Sequence, residues 1–292
     1  MLEQAILKVS NLKKYFGRVK AVDGVSFEVE KGEVFGFLGP NGAGKTTAIR
    51  CILDFIRPQS GEITIFGQNS RDHLSREKVG YLIAGANLVE SWTGYDHLNY
   101  QESLRGKSKT LPDLMKRFSF DPRPKAKYLS TGNRQKLGLI LALMSKPELL
   151  VMDEPTYGLD PILQEEFYKI VREVTKNGTT VFMSSHNLPE VEKVCTRVAM
   201  IKSGKLITVQ KISALEGKKV HSVHIAFSGN IPEKNELADY NTEIVEETAD
   251  GYLVSVKGEI DPFIKKIAKY KIAALQITQA NLEEIFMEFY RN

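Results

Sequence analysis

Residues 34–49 read VFGFLGPNGAGKTTAI: an apolar run, a glycine-rich loop, then Lys-Thr-Thr opening a helix. Gly39, Gly44, Lys45 and Thr46 fit the phosphate-binding pattern G-x-x-x-x-G-K-[ST]. In that pattern glycines let backbone N–H groups turn toward phosphate oxygens, the lysine reaches the β/γ oxygens, and the hydroxyl ligates Mg²⁺. A helix beginning near Lys45 adds its positive end to the same anion. The apolar strand before the loop and the helical pattern after it separate this reading from a chance glycine-rich turn. A nucleoside triphosphate site is therefore the working premise.

The chain has 292 residues, enough for one large or two moderate domains with a substantial core. Its 42% hydrophobic and 26% charged content is ordinary for a globular protein. No apolar run approaches the roughly 18–20 residues needed to span a bilayer, and MLEQAILKVS lacks the basic-then-apolar build of a signal peptide. The expected location is the cytoplasm, unless a partner holds the chain at a membrane. Cys51 and Cys195 match no metal or redox spacing and read as buried free thiols in apolar helical contexts. The net charge of +4 hides an asymmetry: residues 1–216 carry 31 Lys/Arg against 24 Asp/Glu, and residues 217–292 carry 9 against 12. The shift supports a domain boundary at Leu215-Glu216-Gly217, and the basic excess is too diffuse to argue for nucleic acid.

Around the loop, residues 5–30 alternate apolar and polar and predict an antiparallel pair turning near Gly17. Tyr15 and Phe16 lie in that turn, where an aromatic ring either stacks on a nucleotide base or tucks under the sheet. EITIFGQ and VGYLI predict further strands. From about Asn87 to Ser145 the pattern becomes helical, through YDHLNYQESLRG, LPDLMKRFSF and RQKLGLILALMSK, which reads as a helical insertion in an α/β domain. LLVMDEP, residues 149–155, ends an apolar strand in two carboxylates. An α/β sheet binds its ligand at the carboxyl edge of its strands, so Asp153 and Glu154 should emerge beside the phosphate loop, one to hold Mg²⁺ and one to orient the attacking water. Residues 163–176 predict a surface helix, TTVFMSS a buried strand ending at His186, 187–196 a helix, and RVAMI and LIT two strands closing the first domain. The tail reads as a small α+β module, with strands in VHSVHIAFSG, TEIVEE, YLVSVKG and AALQIT, a helix in DPFIKKIAKY and an amphipathic terminal helix in NLEEIFMEFY.

The order of a phosphate loop, Leu129-Ser130-Thr131-Gly132 opening a helix, four apolar residues before Asp153-Glu154-Pro155, and a strand ending at His186 resembles the nucleotide-binding domain of an ABC transporter over about residues 5–216. The resemblance implies a P-loop NTPase core with an antiparallel β subdomain and a helical subdomain at about 87–145, followed by an accessory domain at 217–292. It implies that the loop Gly39, Pro40, Asn41, Gly42, Ala43, Gly44, Lys45, Thr46 and Thr47 resembles Walker A and binds ATP. Thr46 and Asp153 would then hold Mg²⁺, and Glu154 would polarise the attacking water. His186 would contact the γ-phosphate, Phe16 or Tyr15 would stack on adenine, and Gly158-Leu159-Asp160 would form the D-loop. Ser130 and Gly132 would meet the nucleotide of a second subunit, in a homodimer or a heterodimer.

Two departures stand out. The signature loop reads LSTGNRQ where many members have LSGGQ, and Ala84 stands where the family's Q-loop glutamine follows VGYLI, with Asn87 as a nearby polar substitute. The tail resembles the accessory module of ABC-2 type exporter ATPases of the daunorubicin or bacitracin resistance kind. Together these resemblances imply an ATPase bound to separate integral membrane permease subunits, peripheral on the inner face of the membrane, rather than a soluble member acting on translation or DNA. The tandem nucleotide domains and inserted coiled coils of those members are absent from the sequence.

Overall fold

The computed structural model describes residues 5–216, 220–239 and 241–279. The chain divides into two compact units between Gln210 and Lys211, a few residues ahead of the composition change at Leu215–Gly217.

The first unit opens with a hairpin of β1 (Ala5–Phe16) and β2 (Val19–Glu30), turning through Gly17 at φ 59°. Then follow β3 (Val34–Leu38), α1 (Lys45–Ile52), β4 (Ser60–Ile65), β5 (Gln68–Asn69) and β6 (Val79–Leu82). The helical block comprises α2 (Gly94–Arg105), α3 (Leu111–Arg117) and α4 (Thr131–Leu143). The unit closes with β7 (Leu149–Asp153), α5 (Pro161–Lys176), β8 (Thr180–Ser185), α6 (Leu188–Val194), β9 (Arg197–Lys202) and β10 (Lys205–Lys211). Two of these differ from the sequence reading. Helix α5 begins two residues early because Pro161 suits the first helical position and Asp160 caps it, and it buries Phe167, Tyr168, Ile170 and Val171 rather than lying wholly on the surface. Cys195 sits just past α6 instead of within it, and both cysteines are free and buried. Burial pushes the Cys51 thiol up to about 11.

Two sheets pack face to face. The antiparallel sheet runs β2-β1-β4-β5, and alternation turns Leu7, Val9, Val25, Phe27, Ile63 and Ile65 inward. The second sheet runs β10-β9-β3-β8-β7-β6, with parallel pairing from β9 across to β6. Every residue of β3, β7 and β8 is buried, the continuous apolar pattern of strands covered on both faces. Phe27 joins the sheets, with ring centroids 5.5 Å from Phe35 and 5.6 Å from Phe182. Because β3, β8 and β7 are parallel neighbours, the residues following each of them leave the sheet at one edge.

The second unit contains α7 (Ile212–Glu216), β11 (Val220–Phe227), α8 (Lys234–Leu237), β12 (Thr242–Glu247), β13 (Gly251–Lys257), α9 (Asp261–Ile267) and β14 (Ile272–Gln279). Its antiparallel sheet runs β12-β13-β11-β14, and Val223, Ile225, Tyr252 and Val254 pack with Leu237 of α8 and Phe263 and Ile267 of α9 into a core of its own. The terminal helix predicted in NLEEIFMEFY lies outside the described residues.

Candidate functional site

The loop after β3 is shaped by what its glycines exclude. A Cβ on Gly39 would lie 2.3 Å from the Ile201 carbonyl oxygen, and one on Gly44 would lie 2.1 Å from that of Ala21. Gly44 also sits at φ 108°, a backbone region open to glycine. The loop is thus pressed onto β9 and β2, and the turn between β9 and β10 braces it through Gly204 N–H to Ala43 O at 3.0 Å. Helix α1 starts directly at Lys45, so its first-turn N–H groups lack intrahelical acceptors and face the loop.

Six side chains, two from at or past the end of each of β3, β7 and β8, converge here. The Thr46 hydroxyl donates to Asp153 Oδ2 at 2.7 Å, and the Ser184 hydroxyl donates to Asp153 Oδ1 at 2.5 Å. Lys45, itself buried, donates to the Gly39 carbonyl at 2.7 Å and lies 3.1 Å from Glu154 Oε1. His186 Nδ1 lies 2.7 Å from Glu154 Oε2. Glu154 holds the left-handed backbone conformation at φ 50°, uncommon for a side chain of its kind. Its own N–H donates to Ser184 Oγ at 3.1 Å, and the buried Gln135 of α4 donates to the carbonyls of Glu154 and Pro155 at 3.2 and 2.8 Å. Gln135 and Ser184 were not singled out in the sequence; no motif spacing marks a residue that acts by holding another residue's backbone.

A cavity of about 620 Å³ opens over this cluster, lined by Asn41–Thr47, Glu154, Ser203 and the segment Arg18–Ala21. Arg18 and Lys20 bring two cations to a site already holding Lys45, which suits a polyphosphate. They were also missed, since charges in a hairpin turn read as a solvated face. Of the two candidate aromatics, Tyr15 is engaged: its hydroxyl donates to Asp23 at 2.5 Å, with Lys20 Nζ 5.7 Å from its ring centroid. Phe16 is 52% exposed at the tip of the hairpin.

Ser130, Gly132, Asp160 and His186 do not line this cavity. Ser130 caps α4, its hydroxyl accepting the Asn133 N–H at 3.3 Å, and Asp160 caps α5, accepting the Leu163 N–H at 3.0 Å. The two loops touch, because a Cβ on Gly132 would lie 2.7 Å from the Gly158 carbonyl oxygen. The Ser130 loop thus packs on the Gly158 loop and lines no part of the phosphate-loop cavity.

A sequence model described as ABC transporter matches residues 22–157, from β2 through the phosphate loop to the segment after Asp153. The bacitracin transport ATP-binding protein BcrA of Enterococcus faecalis is 34% identical over 226 residues, 74% of this chain and 72% of that protein. This chain belongs to the ABC transporter ATP-binding proteins. As an ABC ATPase it binds and hydrolyses ATP and is the ATP-binding subunit of a transporter. The linearmycin resistance ATP-binding protein LnrL of Bacillus subtilis is 30% identical over 302 residues, 97% of each chain. A solved structure of an ATP binding subunit of an ABC transporter superposes with a TM-score of 0.67 at 26% identity, over 72% of this chain and 92% of that one. Among the described residues of this ABC ATPase no helix is long and apolar enough to cross a membrane. Ala84 is exposed just past β6, and Asn87 beside it is also exposed.

Proposed function

We propose that this ABC ATPase powers an exporter by closing two copies of its nucleotide site across a dimer. The convergence of Thr46 with Asp153, and of Lys45 and His186 with Glu154, carries this reading. The donor set fits the expected ligands: a hydroxyl and a buried carboxylate suit a small hard dication, and the loop with its cations suits the phosphates. Thr46 and Asp153 would hold Mg²⁺, which when bound neutralises charge on the phosphate oxygens. Lys45 and the N–H groups of residues 39–47 bind the phosphates. The Glu154 carboxylate is placed to orient water, and His186 steadies that carboxylate and reads the γ-phosphate. Phe16 supplies the exposed ring for the base, beside Arg18–Lys20.

Ser130, Gly132 and Asp160, which do not line this cavity, serve the site of the facing subunit, so two chains complete each other. That partner is a second copy or a related ATPase. The second unit acts as an accessory domain, and separate integral membrane permeases bind the first unit on the cytoplasmic face of the membrane. The similarity to bacitracin and linearmycin proteins supports export as the direction. Glu154→Gln keeps the hydrogen-bonding shape and removes the charge that activates water. With ATP and Mg²⁺ it is expected to run as a dimer on a sizing column while turnover falls by about 10²-fold or more. A monomer hydrolysing at the wild-type rate would refute the assignment.

A further inference from the structure

Glu190, in the first turn of α6, is 2% exposed. Its Oε2 accepts the Ser185 hydroxyl at 2.5 Å, and Oε1 has no hydrogen-bond partner among the described residues. The Ser185 oxygen in turn receives the Asn187 N–H at 2.9 Å, and the Ser185 carbonyl receives the Gly39 N–H at 3.1 Å. His186 stands between Ser185 and Asn187. Ser185 has one hydroxyl proton and two acceptors for it, Glu190 Oε2 at 2.5 Å and the Asn187 carbonyl at 3.2 Å. A carboxylate wins that competition, because a charge-assisted bond is roughly twice as strong as a neutral one.

We propose that Glu190 is a positioning residue for ATP hydrolysis: its carboxylate fixes the Ser185 hydroxyl and thereby the turn that presents His186 to Glu154. The inference rests on His186 acting as the γ-phosphate reader. Burial pushes the Glu190 carboxyl up to about 7, against the lowering effect of the Ser185 and Thr156 hydroxyls; Glu154 raises it further and His186 lowers it. Tyr168 of α5 and Cys195 face it as well, and both are pushed up, by burial first and then by the Glu190 charge. The charge that holds Ser185 is therefore gained as pH rises through neutrality.

The test is steady-state ATP turnover of the full chain as wild type, Glu190→Gln, Ser185→Ala and the double variant, from about pH 6 to pH 8. ATP affinity is measured alongside with a fluorescent nucleotide. Glu190→Gln is expected to lower kcat about tenfold, to leave ATP affinity within about twofold, and to flatten the rise in turnover across neutral pH. Ser185→Ala should do the same, and the double variant should be no worse than either single one, because both break one link. Wild-type kcat with the wild-type pH profile in Glu190→Gln, or additive losses in the double variant, overturns the proposal. If Glu190→Gln fails to fold, Ser185→Ala decides alone by the same kcat and pH criteria. His186→Ala separates the layers: lost turnover there with normal Glu190→Gln removes this inference only, and normal turnover in His186→Ala removes the reading beneath it.

Discussion

Asp153 and Glu154 are adjacent, yet their surroundings differ. Asp153 ends the strand fully buried, with both oxygens occupied by the hydroxyls of Thr46 and Ser184. Glu154 has left the strand at φ 50°, and its side chain reaches a cation on one oxygen and an imidazole on the other. A left-handed non-glycine residue costs of order 1–3 kcal/mol, and here the bonds from Gln135 and to Ser184 hold it in place. Glu190 shows a related tension in its pH dependence. Its carboxyl titrates about 7 in the native chain against an ordinary 4.5. Between those values the folded state keeps a proton that the unfolded chain has released, so this group's contribution to stability falls as pH rises and the full penalty is present above 7. Glu190→Gln carries no such penalty. Its stability relative to wild type is expected to improve by of order 2–3 kcal/mol from about pH 4.5 to pH 8, read as the difference between paired denaturant titrations. A difference constant with pH would show that the carboxyl is not titrating in this range. The variant would thus gain stability at the pH where it loses turnover, a trade seen where a strained site serves activity.

At the scale of elements, helix α3 is tied to α5 by one guanidinium. Arg117 Nε donates to Glu166 at 2.6 Å and Nη2 to Glu173 at 3.0 Å, with the two acids seven residues apart and so on one face of α5. Arg117 is mostly buried, its pKa is raised chiefly by the Glu173 bond, and that bond holds the Glu173 carboxyl below the usual range. Glu173 is half exposed, so solvent screens the pair. Arg117→Met is expected to cost about 1 kcal/mol at neutral pH. Because the Glu173 pKa is depressed in the folded chain, its contribution is present above the ordinary carboxylate pKa and lost as pH falls through the folded value. The gap between wild type and variant should therefore close in acid, and a gap that persists there would assign the loss to packing of the arginine stem. The helix caps carry a second lesson: Ser130 and Asp160 are needed for local helix geometry as well as for any contact across a dimer, so an alanine at either changes both.

Across the whole molecule, the two units have separate apolar cores, one built around Phe27, Phe35 and Phe182 and the other around Val223, Ile225 and Val254. ATP binds the first. A ligand that binds only the native form stabilises by about 2.7 kcal/mol at a hundredfold excess over its Kd. Calorimetry of Glu154→Gln, in which slow turnover is expected to spare the ligand, should show two transitions, with ATP and Mg²⁺ raising one and leaving the other in place. A single transition that moves as a whole would mean the units unfold as one.

Sequence alone determined the phosphate loop, the hairpin before it, the alternation of buried strands with helices, and the carboxylates at a strand end. Each of these is written in local spacing or in the burial of a continuous run, and parallel strand ends then dictate that the ligand residues leave by one edge. What only the tertiary structure decided are the contacts between distant segments: Thr46 and Asp153 meet across 107 positions. Local spacing could not foresee that Tyr15 commits its hydroxyl to Asp23, which the β1–β2 pairing sets opposite Lys13, two positions before Tyr15, while Phe16 stays exposed. Nor could it find Gln135, Ser184 or Ser185, since a polar side chain that holds another residue in place has no signature of its own until folding supplies its partner.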